Sequence, residues 1–233
     1  MKTLIIALLM ATTAVAQESQ NFPISSVFAS EIPAVQKGQH VLQTHEYLAC
    51  IDPERRQPVW VAYTVSLTDF ETENVLSRNF TTPRQYSKIS LEQSDYKSSG
   101  FDMGHMCALK HKAASRHASE VNWMVVIAAQ SPNLNRGPFL KTEKRVRELA
   151  AESKVYVMTV CLFEGNQDQL PNSDEKHELP SHCGVMITKK NGDVECYLVP
   201  QECDINADLD DFSIPVEDFK DRVSQTWWTS EDR

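Results

Sequence analysis

In FDMGHMCALKHK, which begins at Phe101, His105 lies between Asp102 and Cys107, and His111 and His117 follow closely. An imidazole titrates near neutrality, so it can serve as a general base or as a metal ligand. One reading makes His105, Cys107, His111 and His117 a zinc cage. Structural zinc favours tighter pairs such as C-x2-C with H-x3–5-H, and only the gap from His111 to His117 falls within that range. The other reading is hydrolysis of a phosphodiester. That reaction needs a base for water, a cation for the phosphate and leaving oxygen, and donors for the nonbridging oxygens.

The residues downstream of His105 can supply the rest. Mg²⁺, or another divalent ion such as Mn²⁺, takes oxygen ligands and keeps several waters, so one amide oxygen from Asn135 is a sufficient protein anchor. Glu143 can hold waters on that ion, and Arg136 and Arg147 can bind phosphate oxygens. Positions 135, 139, 143 and 147 keep to one side of a helix. The plain alternatives are a structural histidine at 105, a helix cap at Asn135 and a surface pair of Glu143 with Arg147. His111 and His117 read as exposed neighbours of a basic patch.

Several elements position these groups. VWVAYTVSL from Val59, WMVVIAA from Trp123 and VYVMTVCLF from Val155 read as strands. NRGPFLKTEKRVRELAAESK reads as one helix, capped by Asn135 with Pro138 in its first turn and Phe139, Val146, Leu149 and Ala150 on its apolar stripe. Residues 66–96 read as a long, partly irregular crossing. GVMITKKNGDVECYLVP is a hairpin in which Asn191-Gly192 predicts a two-residue type I′ turn with Lys190 opposite Asp193. In that register Cys196 faces Ile187, too far from Cys183 for a bridge. Long crossings and one strong helix indicate α+β, not alternating β-α units.

Bulk properties add limits. The chain has 233 residues and a formal net charge of −9, so its surface as a whole does not attract nucleic acid. Between Lys97 and Arg147, however, nine basic residues face three acids, which suggests a local anionic ligand. The first sixteen residues carry Lys2, an apolar run from Leu4 to Met10 and Ala14-Val15-Ala16. That pattern predicts a signal peptide cleaved near Ala16 and a secreted or periplasmic protein with no membrane anchor in its mature form. Residues 17–39 read as irregular and 40–233 as a single domain. The six Cys permit disulfides in such a compartment without fixing their pairing. Trp227 and Trp228 are expected to dock the tail onto the domain. Monomer and homodimer are both open.

At this point the chain resembles a known family, the non-specific DNA/RNA endonucleases with a ββα-metal (His-Me finger) site. The family's Tyr-x-x-Ser-Gly-Tyr-Asp-Arg-Gly-His is matched by YKSSGFDMGHM, and its Asn-x-Gly-x-Trp-x-x-x-Glu by the helix start after Leu134. RRQPVWVAYTVSL, LPSHCGVMI and YLVP are also similar, so the likeness runs in order over about residues 40–200. The resemblance implies a mixed or antiparallel central sheet flanked by helices and hydrolysis of DNA and RNA with little sequence preference. It further implies His105 as general base, Asn135 as the metal ligand, Glu143 as the water-holding acid and Arg147 as a phosphate-binding residue. Asp102 matches the signature Asp, and products carry 5′-phosphate ends. Two positions depart. Met103 stands in the substrate-facing place of the signature Arg, and Val126 in the place of an Asn nine residues before the metal-ligating one. Those losses support an alternative: a catalytically degenerate nucleic-acid-binding or interaction protein on the same fold.

Overall fold

The computed structural model describes residues 32–73, 76–165 and 169–226. The leader, most of the irregular N-terminal segment, Trp227 and Trp228 lie outside the described residues.

A six-stranded antiparallel sheet forms the frame. Its strands are β1 (His40–Gln43), β2 (Leu48–Asp52), β3 (Gln57–Val65), β6 (Val155–Leu162), β7 (His182–Thr188) and β8 (Val194–Pro200), in spatial order β1-β2-β3-β6-β7-β8. A smaller two-stranded sheet pairs β4 (Asp102–His105) with β5 (Ile127–Gln130), also antiparallel. Every residue of β3 is buried, as required of a strand covered on both faces. Alternation divides its side chains: Val61, Tyr63 and Val65 enter one core, and Trp60 and Ala62 the other.

On the first face lie the β4–β5 unit and α4 (Pro138–Glu152). Phe139, Val146, Leu149 and Ala150 of α4 are buried there with Val157, Val185 and Ile187 of the sheet. Each large side chain so buried contributes about 1.5–3 kcal/mol. On the second face α5 (Val216–Thr226) inserts Phe219 and Val223 against Trp60, Val160 and Leu198. The remaining helices are short: α1 (Leu67–Phe70), α2 (Gln93–Tyr96) and α3 (Pro132–Arg136). Among the described residues no helix is long and apolar enough to cross a membrane.

Three expected elements differ in detail. The single helix is two helices, α3 and α4, separated at Gly137. A Cβ at Gly137 would lie 2.5 Å from the carbonyls of Asn133 and Ile205, so the chain reverses where only glycine fits. The cap of α3 is Ser131, whose side chain accepts from Leu134 N–H, and not Asn135. Residues 124–126 form a 3₁₀ turn, with strand pairing only from Ile127. The β7–β8 register pairs Met186, not Ile187, with Cys196. The loop gains a residue because Lys189 pairs with Asp193, with Gly192 at φ +94°. Cys183 lies opposite Val199, still out of reach of Cys196, and all six cysteines are unbridged.

Candidate active site

The β4–β5 ladder is extended by one bond and anchored to the large sheet by two more. Met106 N–H donates to Val126 O at 3.1 Å, Met106 O accepts from Thr159 Oγ1 of β6 at 2.7 Å, and Ala129 N–H of β5 donates to Gln57 Oε1 at 3.2 Å. Gly104 permits this packing, since a Cβ there would meet the Gln130 side chain at 2.2 Å. The ends of this short ladder thus set His105 and Asp102 on a rigid base, facing α3 and α4.

His105 is held through one nitrogen. Its Nε2 lies 2.8 Å from Asn122 Oδ1, while Asn122 Nδ2 donates to Ser77 O at 3.0 Å. The carbonyl of Ser77 can only accept, which fixes the Asn122 amide and makes Nε2 the protonated nitrogen. Nδ1 is then the atom with a free lone pair. The Phe80 ring sits 5.2 Å from the imidazole. Burial lowers the pKa of His105 to about 4; the Asn122 bond opposes this and the charge of Arg78 adds to it. The imidazole is neutral at physiological pH, the state required of a base.

Asp102 does not face water as a reacting acid. Arg136 grips it in a fork, Nε to Oδ2 at 2.8 Å and Nη2 to Oδ1 at 2.7 Å, and Asn135 Nδ2 donates to Oδ2 at 2.9 Å. Burial opposes ionisation, but the bonds from Arg136 and Asn135 outweigh it and keep this carboxyl below its usual range. With its NH₂ committed to Asp102, Asn135 presents Oδ1 as its other polar atom. An oxygen donor so oriented fits a hard divalent cation. Arg136, expected to contact phosphate, is thus spent on Asp102.

Glu143 lies half-buried on α4. Burial pushes its pKa up to about 7, against the charges of Arg147, Arg78 and Lys110. Among the described residues no ion pair joins it to Arg147, so the surface-pair alternative does not describe this helix face. Arg147 has a buried Nη1 without a hydrogen-bond partner. A buried guanidinium N–H left unpaired is costly and points to an acceptor from a ligand. Behind these groups a cavity of about 10 Å³, lined by His105, His111, Glu143, Thr142 and Thr159 among others, has room for one water.

Two readings of the histidines are corrected. His111 is not exposed: it is fully buried, with Nδ1 3.2 Å from Tyr63 OH and Nε2 2.9 Å from the carbonyl of Glu143. Nor do His105, Cys107, His111 and His117 converge on a zinc site. Cys107 is buried in the sheet core, and His117 stacks on His45 instead.

Two site residues were missed in the sequence. Asn122 had no motif to mark it. Arg78 lies in the irregular crossing, exposed, and its side chain has no partner among the described residues. Its charge nevertheless acts on His105, Asp102 and Glu143. Met103, in the place of the family's signature Arg, packs with Phe80 and Phe101 against Tyr96, Met124 and Leu179. Val126 is fully buried in the core.

A two-stranded ladder followed by short and long helices thus carries a neutral imidazole at His105, an oriented amide at Asn135 and a half-buried acid at Glu143. The DNA/RNA non-specific endonuclease model matches residues 25–228, and the chain belongs to that family. It is 26% identical over 181 residues to the nuclease of Serratia marcescens, across 72% of this chain and 67% of that one. It is 27% identical over 191 residues to human mitochondrial endonuclease G, across 74% of this chain and 62% of that one. The chain therefore spans roughly two thirds of the length of these relatives. The fold is also that of a chain in the crystal structure of an EndoG/EndoGI complex, with a TM-score of 0.72 at 21% identity, covering 86% of this chain and 90% of that one.

Proposed function

We propose that this protein is a metal-dependent endonuclease that hydrolyses phosphodiester bonds of DNA and RNA with little sequence preference. The observation that carries the reading is the half-committed pair: His105 with Nδ1 unspent and Asn135 with Oδ1 unspent, each fixed through its other polar atom. Groups spent on the fold stabilise it, whereas oriented unspent groups are available to a substrate.

His105 Nδ1 accepts a proton from water as the water oxygen attacks phosphorus in line. The new P–O bond forms as the bond to the 3′ oxygen breaks, and that oxygen takes a proton from a solvent water, leaving a 5′-phosphate and a 3′-hydroxyl. The proton held on Nδ1 then returns to solvent. Arg147 and the exposed Arg78 neutralise the nonbridging oxygens. A hard divalent cation, Mg²⁺ or Mn²⁺, fits the Asn135 oxygen with Glu143 nearby, and when bound it supplies positive charge beside the phosphate and leaving oxygen. Contacts confined to phosphates carry no base information, which supports broad substrate choice. The leader-like first sixteen residues support action outside the cytoplasm.

Plasmid DNA and a structured RNA incubated with purified protein, with Mg²⁺ or with EDTA, test the reading. Cleavage of both in Mg²⁺ only, with 5′-phosphate ends, is expected. Binding without cleavage across divalent ions and pH would favour the degenerate alternative, for which Met103 and Val126 are the supporting observations.

A further inference from the structure

His45, His117 and Glu120 form a polar cluster that the proposed reaction does not use. His45 Nδ1 lies 2.6 Å, and His117 Nδ1 3.8 Å, from the same oxygen, Glu120 Oε1. The two imidazoles are stacked, with centroids 3.7 Å apart and planes 3° from parallel. Glu120 is only 8% exposed and is aimed by His45 N–H, which donates to its other oxygen at 2.9 Å. The β1–β2 turn carrying His45 is fixed by Thr44 Oγ1, which accepts from Glu46 and Tyr47 N–H. His117 N–H donates to Ser115 Oγ at 3.0 Å. All three ligand atoms lie within 4.8 Å of one another.

We propose that His45, His117 and Glu120 form a second metal site, taking a divalent transition ion such as Zn²⁺. Two imidazoles and one carboxylate match the three-ligand sets of zinc sites that keep an open position, and nitrogen donors select against Mg²⁺. Ligation requires one ring to leave the stack, because each imidazole binds along its in-plane lone pair. The His45 side chain, 64% exposed, can turn without disturbing the core. Arg116 Nε donates to His117 Nε2 at 3.0 Å, which places the His117 proton on Nδ1. Metal at Nδ1 moves that proton to Nε2 and expels Arg116, an exposed side chain. The ion ties the β1–β2 turn to the Ala118–Asn122 turn, and the last residue of that turn is the one that holds His105.

Tag-free protein in excess Mg²⁺, titrated with Zn²⁺ by calorimetry and followed by thermal unfolding, tests this. Wild type and Asn135→Ala should each bind one Zn²⁺ and gain Tm. His45→Ala and His117→Ala, with native circular dichroism, should bind on the order of 100-fold more weakly and gain nothing. Arg116→Ala should bind more tightly than wild type. Absence of Zn²⁺ binding to wild type overturns the proposal. So does wild-type affinity in both histidine variants, and so does binding lost only in Asn135→Ala, which would place the ion at the catalytic site. Because the readout is binding, failure here leaves the nuclease reading standing, and absence of cleavage leaves this one standing.

Discussion

His105 and His111 lie six residues apart, and burial lowers both, to about 4 and about 3. Their surroundings differ in one respect. His111 spends both nitrogens, on Tyr63 OH and on the carbonyl of Glu143, tying β3 to α4. His105 spends Nε2 alone. His111 is a brace, and on the proposed mechanism His105 is the base. The same distinction separates the arginines: Arg136 is closed on Asp102, while Arg147 keeps a buried N–H without an acceptor. Residue type marks the candidates; the number of groups left unspent separates the roles.

The largest effect should come from exchanging the two histidines' fates. His105→Ala should lower kcat by roughly 10²–10⁴-fold, the range for losing a positioned base, and cost less stability than His111→Ala because it leaves one buried partner unpaired, not two. His111→Ala should lower stability by about 3 kcal/mol, read by denaturant unfolding, since it leaves a buried hydroxyl and carbonyl unpaired. A His105→Ala destabilised more than His111→Ala, or a His111→Ala as stable as the wild type, would break the comparison.

Arg147→Ala should cost roughly 100-fold in kcat/KM, as expected for removing one donor to the transition-state phosphate. Arg136→Ala should cost less, and through Asn135: its loss loosens Asp102, so the Mg²⁺ concentration for half-maximal rate should rise. Asn122→Leu should cost about tenfold in kcat and leave KM unchanged, because it frees the ring without touching substrate.

Titration of the metal-free protein sharpens the contrast further. Carbon NMR should show the Glu143 carboxyl titrating near 7 and the His105 ring neutral until about pH 4. The linkage signs are opposite. A depressed imidazole binds fewer protons folded than unfolded, so its contribution weakens stability as pH falls below about 6.5 toward 4. A raised carboxyl does the reverse, and its contribution is lost as pH rises through about 7. The smallest change should come from Met103→Arg, whose stem can follow the apolar wall beside Phe80 while its head reaches solvent. A modest gain in rate indicates that the position still looks toward phosphate.

Much of the frame was legible in the sequence, because β3, β6 and the β7–β8 hairpin announce themselves by alternation and β-branched runs. The two segments that carry the candidate site also stand out in the sequence, through ordered motifs around His105 and Asn135. What escaped depended on long-range closure. The helix break at Gly137 follows from the approach of Ile205, almost seventy residues on. The extra residue in the β7–β8 loop follows from a Lys189–Asp193 pairing that an Asn-Gly signal does not specify. Asn122 and Arg78 sit in irregular segments where no period exists to mark a face. His111 looked like surface because its neighbours are lysines, yet Lys112 is itself buried, donating to Thr64 O at 2.9 Å with Glu46 at 3.5 Å.

The most direct test of the central claim is chemical rescue of His105→Gly. The wild type should cut plasmid DNA in Mg²⁺ and not in EDTA, His105→Gly should be nearly inactive, and added imidazole should restore Mg²⁺-dependent cleavage. Undiminished cutting by His105→Gly, or an inactive wild type under the same conditions, would contradict the account.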